Sequence, residues 1–268
     1  MESSEALTEA GTGGDLIRRF LALFEVLLVA LAGVFFVQLG FMVFNIGRSQ
    51  LLGDTRILFI SLASEACISL ALIALFLRSR GQSFRTIGWI WKKGGREALL
   101  GISCVPFLFA STFLVGIFFT LVLPQYVSTT NPLLDSVKGY GALIFLLVSS
   151  ILVGGIKEEI QRAFVLDRFE RYLGPVFLTC FFRIFGHKRV AGEQAGRRVG
   201  LIVGLILWNL FFAAGHALQG VDSAAGAGIL GLCFGLLYIW RRNLVAPMLA
   251  HALFDVTTLL IFWFFVQN

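Results

Sequence analysis

Apolar residues in this chain do not alternate with polar ones at the period of a strand. They gather in runs of about twenty, at 20–44, 57–77, 98–123, 142–165, 199–218, 224–240 and 244–266. Runs of that length cross the roughly 30 Å hydrocarbon layer of a bilayer as helices, and the ten-residue alternation of a membrane barrel is missing. The pattern predicts an all-α fold, a polytopic integral membrane helical bundle of seven transmembrane helices. An eighth apolar piece at 172–185 is short for a crossing and is interrupted by Gly174 and Pro175, so an interfacial or re-entrant segment is expected there, or eight spans if it crosses in full. Residues 1–14 are polar, acidic and small and are expected as a disordered tail. The first apolar run has no basic n-region or small-residue cleavage site and is expected as an uncleaved span, with 15–268 a single transmembrane domain.

Composition sharpens this picture. Hydrophobic residues make up 57% of 268 and charged residues only 14%, against about 25% in soluble domains. The net charge of +6 would suit a nucleic-acid binder, but Lys and Arg fall between the apolar runs, so no nucleic acid is expected as a partner. Arg78, Arg80, Arg85, Lys92, Lys93 and Arg96 form one group, Lys188, Arg189, Arg197 and Arg198 a second, and Arg241 with Arg242 a third. With seven crossings and a cytoplasmic N-terminus all three lie inside, and the loops 124–141 and 219–223 lie outside. A bacterial cytoplasmic membrane is the expected location, with membrane lipids as neighbours. The loop 78–96 mixes its basic residues with Phe84, Ile87, Trp89, Ile90 and Trp91 and is expected to anchor at the lipid interface. Cys67, Cys104, Cys180 and Cys233 lack metal or disulfide spacing and are expected as small core residues.

Ionisable groups inside the spans carry the candidate chemistry. A charged side chain at mid-bilayer costs roughly 2.5–3.5 kcal/mol on insertion scales, so such groups are expected to face the interior and find partners. Glu65 is one. Glu158, Glu159 and Arg162 follow Gly154 and Gly155, and the arginine stands three and four residues from the two carboxylates, within reach of either. Asn209, Phe212 and His216 share one helix face, as do Pro247, His251 and Asp255. Gly226, Gly228, Gly231 and Gly235 suit close helix packing. Convergence of the charged groups on one interior site is the economical arrangement. A glutamate with two histidines is the inventory for activating water, by general base or on a metal, and so for a hydrolase. The chain has no HExxH, no GxSxG and no paired intramembrane aspartates.

These residues resemble the family of CAAX prenyl endopeptidases and bacteriocin-processing enzymes, also called the Abi family, whose core carries EExxxR, FxxxH and HxxxN or HxxxD on successive membrane helices. Phe212 to His216 and His251 to Asp255 match the second and third motifs, and the resemblance covers about 151–255, with the protease-like core at about 142–266. Aligning both glutamates puts Ala163 at the arginine position, whereas aligning Arg162 makes Glu158 the second glutamate and Lys157 the first. The resemblance implies an intramembrane endopeptidase acting on peptides or lipidated, CAAX-type proteins. Its catalytic residues would be Glu158 or Glu159, His216, His251 and Asp255, supported by Arg162, Phe212 and Asn209. The family is described both as metalloproteases and as glutamate proteases, so zinc is a possible cofactor, held by His216, His251 and Glu158 or Glu159. The alternative is a non-catalytic scaffold or immunity-type protein that keeps the polar core.

Overall fold

The computed structural model describes residues 2–184 and 192–267, and over these residues the regular structure is helical throughout. Among them, seven helices are long and apolar enough to cross a membrane. We label them α1 (Glu2–Val43), α2 (Thr55–Ser79), α3 (Gly94–Val122), α4 (Tyr140–Ile184), α5 (Glu193–Gly215), α6 (Val221–Arg241) and α7 (Val245–Phe262). The chain is therefore an integral multi-pass helical bundle. The stretch 2–14, expected as a tail, continues α1 on its N-terminal side.

Helix α4 corrects the reading of 172–185. The chain does not break at Gly174 and Pro175 but stays helical to Ile184; Phe185 lies outside the described residues. Proline lacks the N–H a helical turn uses, and the turn before it, Phe169–Leu173, has π register, a looser hydrogen-bonding pattern that accommodates the change. This end of α4 packs on α5 through glycines. A Cβ on Gly174 would meet the carbonyl of Gly196, and one on Gly200 the carbonyl of Phe169. Protein packing rather than a lipid surface therefore covers that face of the segment. Its 45 residues would span about 68 Å if straight, so α4 must extend beyond the hydrocarbon layer or be strongly inclined within it.

The middle of α4 is the centre of the bundle: all ten residues from Glu159 to Arg168 are buried, with α1, α2, α5 and α7 around this helix. Each polar side chain among them has at least one partner, although Glu159 Oε2, Arg162 Nε and Nη2 and Arg168 Nη2 are buried without a hydrogen bond. Gln161 donates to the Val29 carbonyl at 2.7 Å, and Arg168 donates to Glu25 at 2.6 Å, Asp167 at 2.8 Å and Gln82 at 2.9 Å. One turn earlier, Lys157 donates to Glu65 at 2.6 Å, so that carboxylate has a partner, as expected, and the partner is Lys157.

The loop between α2 and α3, expected at the lipid interface, is tied into the bundle. Ile87 is fully buried, Tyr238 Oη donates to its carbonyl at 3.2 Å, Asn243 donates to the Ile90 carbonyl at 2.8 Å, and Leu244 N donates to the Gly88 carbonyl at 2.9 Å. Gly88 holds φ at +94° against the Arg242 carbonyl, a conformation and a gap that both favour glycine. Arg241 pairs with Glu97, and Arg242 and Arg197 pair with Glu170. The three basic groups thus meet at one end of the bundle, although Lys188 and Arg189 lie outside the described residues. At the other end Ser128 N donates to Asp222 at 3.1 Å, joining the loops 124–141 and 219–223. The cysteines depart from expectation: Cys67 and Cys180 are exposed, and Cys104 and Cys233 only partly buried. An outer surface facing lipid accepts a small apolar side chain as readily as the core does.

Candidate active site

The site forms where α4 meets α7. Residues Ser150–Glu158 of α4 have π register, a form common at functional positions. Gly154 and Gly155 on this stretch let α7 come close. A Cβ on Gly154 would lie 2.5 Å from Asp255 Oδ2 and 3.3 Å from His251 Nε2, and one on Gly155 would lie 2.7 Å from Ala252 Cβ.

The two adjacent glutamates have different surroundings. Glu159 has no exposed side-chain surface; its Oε1 accepts from Arg162 at three residues' spacing and from His251 Nδ1–H at 2.7 Å. Arg162 is itself fully buried, with its guanidinium 5.1 Å from the Phe212 ring and 5.5 Å from the Phe234 ring, close enough for cation–π attraction. Glu158 keeps 18% of its side chain exposed and accepts no hydrogen bond from the described side chains. Its Oε2 lies 3.8 Å from His251 Nε2, and Asp255 Oδ2, with 32% of that side chain exposed, lies 3.6 Å from the same nitrogen. His251 is therefore held on one nitrogen and open on the other. Its ring stacks on Phe234 at 4.4 Å and meets Phe212 edge-on at 6.2 Å.

His216 ends α5, but its ring turns back along the helix, as helical side chains do. Its Nδ1–H donates to the Phe212 carbonyl at 2.9 Å, which leaves Nε2 with a lone pair in the neutral imidazole. The ring lies 4.6 Å from that of Phe212. This backward turn brings His216 towards the level of His251.

The structure thus brings together Glu158, Glu159, Arg162, Phe212, His251 and Asp255, with His216 adjoining through Phe212. Asn209 stands apart: Nδ2 donates to the Gly228 carbonyl at 2.8 Å, and Oδ1 is buried beside Gly231. It joins α5 to α6 behind Phe212, and its shared face with His216 reflects helical spacing alone. Sequence reasoning missed Phe234 and the role of Gly154. With 28 phenylalanines in the chain nothing marks one as the stacking partner, whereas Gly154 sits in the very stretch that carries the glutamates.

Among the described residues no group of three His, Cys, Asp or Glu side chains is arranged to hold a metal ion. Arg162 and His251 occupy Glu159 Oε1, and Nδ1 of each histidine already has a partner, so that Nε2 is the free ring nitrogen of both.

Residues 140–257, which run from the start of α4 into α7 and include every member of the cluster, match a family model described as type II CAAX prenyl endopeptidase Rce1-like. No curated protein and no solved structure matches the chain. Over residues 140–257 this membrane protein is similar to the Rce1-like family of type II CAAX prenyl endopeptidases.

Proposed function

We propose that the chain is an intramembrane endopeptidase that hydrolyses peptide bonds of lipidated, CAAX-type proteins or other membrane-associated peptides, with Glu158 as the general base. The observation that carries this reading is the contrast between the glutamates: Glu159 is enclosed by Arg162 and His251, while Glu158 is open beside the free nitrogen of His251. An oxygen atom can lie within hydrogen-bond reach of both Glu158 Oε2 and His251 Nε2, which are 3.8 Å apart. Glu158 takes a proton from water there as its oxygen attacks the peptide carbonyl. His251, with Glu158, Glu159 and Asp255 around it, donates from Nε2–H to the developing oxyanion. The C–N bond then breaks and the proton held by Glu158 passes to the leaving amine. His216, with its lone pair on Nε2, assists in moving that proton, and Asp255 orients His251.

A lipid-bearing substrate suits the surroundings. An apolar cavity of about 250 Å³, lined by Trp89, Trp91, Met248, Leu249 and Ala252, backs onto Gly155, next to the glycine that borders the site. An alkyl chain fits there by its chemistry.

The test is cleavage of prenylated and unprenylated C-terminal peptides by the purified protein in detergent. Glu158→Gln is expected to lower kcat by about 10²–10⁴ with the melting temperature nearly unchanged, and a chelator such as 1,10-phenanthroline to leave the rate within about twofold. Full activity in Glu158→Gln would remove it as the base. A folded parent that cleaves none of these peptides would favour the scaffold reading.

A further inference from the structure

We infer that the basic end of the bundle carries a binding site for the phosphate group of an anionic lipid, in the cavity where α4, α5 and the α6–α7 connection meet. This cavity has a volume of about 490 Å³ and is lined by Arg197, Arg198, Arg242, Glu170, Glu193 and Gln194, among others. It lies one stretch of α4 away from the glutamate pair and stands independently of the hydrolytic reading.

Glu170 is the organising residue. It is only 8% exposed, and its carboxylate accepts from Arg242 at 2.5 and 3.3 Å and from Arg197 at 3.2 Å. One buried acid thus orients two guanidinium groups, each with about half of its side chain still exposed. Burial works against the charge on Arg242, but its hydrogen bond and ion pairing with Glu170 outweigh that, so its pKa is raised and the charge is secure. Arg198 is exposed and makes no hydrogen bond or ion pair with another described residue, which leaves its whole planar fork of donors available. Three guanidinium groups face two carboxylates, Glu170 and Glu193, and Gln194 adds an amide. An excess of preoriented planar donors is the chemistry that binds phosphate oxygens.

The setting selects a lipid. Trp240, exposed two residues before Arg242, and Ile202, exposed one turn along α5 from Arg198, place the cavity at the edge of the apolar surface, where headgroup phosphates lie. Juxtamembrane arginines each strengthen attraction to anionic lipid by about fivefold.

Native mass spectrometry of the purified protein titrated with phosphatidylglycerol, with phosphatidylcholine, and with phosphatidylglycerol in the presence of glycerol 1-phosphate tests the inference. Phosphatidylglycerol is expected to bind about tenfold more tightly than phosphatidylcholine, and Arg197→Gln and Arg198→Gln each to weaken it about fivefold. Arg85→Gln, in an exposed basic position off the cavity, is expected to change binding less than about twofold, and glycerol 1-phosphate not to compete. Arg198 makes no contact on which folding depends, so that variant carries the test if Arg197→Gln fails to fold. Equal binding of the two lipids, an equal loss in Arg85→Gln, or displacement by glycerol 1-phosphate would each overturn the proposal, the last by assigning the cavity to a soluble phosphate ester.

Discussion

Glu158 and Glu159 are neighbours in sequence, yet one is partly open and the other has no exposed side-chain surface. The consequence is a difference between two isosteric substitutions. Glu158→Gln removes a group without a tight partner, and we expect stability to change by under about 1 kcal/mol. Glu159→Gln leaves Arg162 buried without its counter-charge, and we expect a loss of about 3–5 kcal/mol along with activity. Denaturant titration of the two variants beside the parent separates them; equal stabilities would mean that Glu159 does not anchor the site. Glu65 follows the same rule. Its carboxylate in an apolar run signals that a partner must exist, but not that the partner is Lys157, far along the chain. Glu65→Leu alone is expected to destabilise by about 3 kcal/mol, and adding Lys157→Met to recover most of that, because the pair is costly to break and cheap to replace. A double variant no more stable than the single one would contradict this account of the pair.

Helices position these residues through register and small side chains. The π stretch Ser150–Glu158 and the glycines on it bring α4 against His251 and Asp255. Gly154→Ala adds a methyl group where Asp255 Oδ2 and His251 Nε2 stand, and we expect kcat to fall by at least about tenfold while the bundle still folds. A fully active Gly154→Ala enzyme would show that the close approach is dispensable. On α5 the effect of the same change is structural: at Gly200 the added Cβ would meet the Phe169 backbone, so Gly200→Ala is expected to lower stability by about 1–3 kcal/mol. The glycines of α6 were legible as packing positions, and Gly231 and Gly235 do meet α5 side chains, whereas Gly226 meets nothing nearby. The spacing of Gly196, Gly200 and Gly204 on α5 carried the same signal and marks the closer contact.

For the whole molecule, the two ends differ in charge because the basic loops converge. The connection 78–96 is tied to Leu244 and Asn243, and Arg242 to Glu170, whereas Ser128 and Asp222 join at the far end. In a chain with its four cysteines replaced, Arg85→Cys and Gln194→Cys are expected to react with an impermeant thiol reagent from one side of the membrane and Tyr126→Cys from the other. Labelling of positions 85 and 194 from opposite faces would break the seven-span topology.

Seven spans, the placement of basic loops and the identity of the ionisable residues follow from the sequence alone, because spanning length and the cost of charge in hydrocarbon are local properties of the chain. His251 and Asp255 could likewise be set on one face by spacing. The tertiary structure decided which glutamate is enclosed, that Arg162 serves Glu159, that Phe234 stacks on His251, that Asn209 belongs to a helix contact, and that 172–185 continues α4. Each of these depends on how closely two distant helices approach and in what rotation. Such contacts between helices arise from packing, and a periodicity within one helix does not contain them.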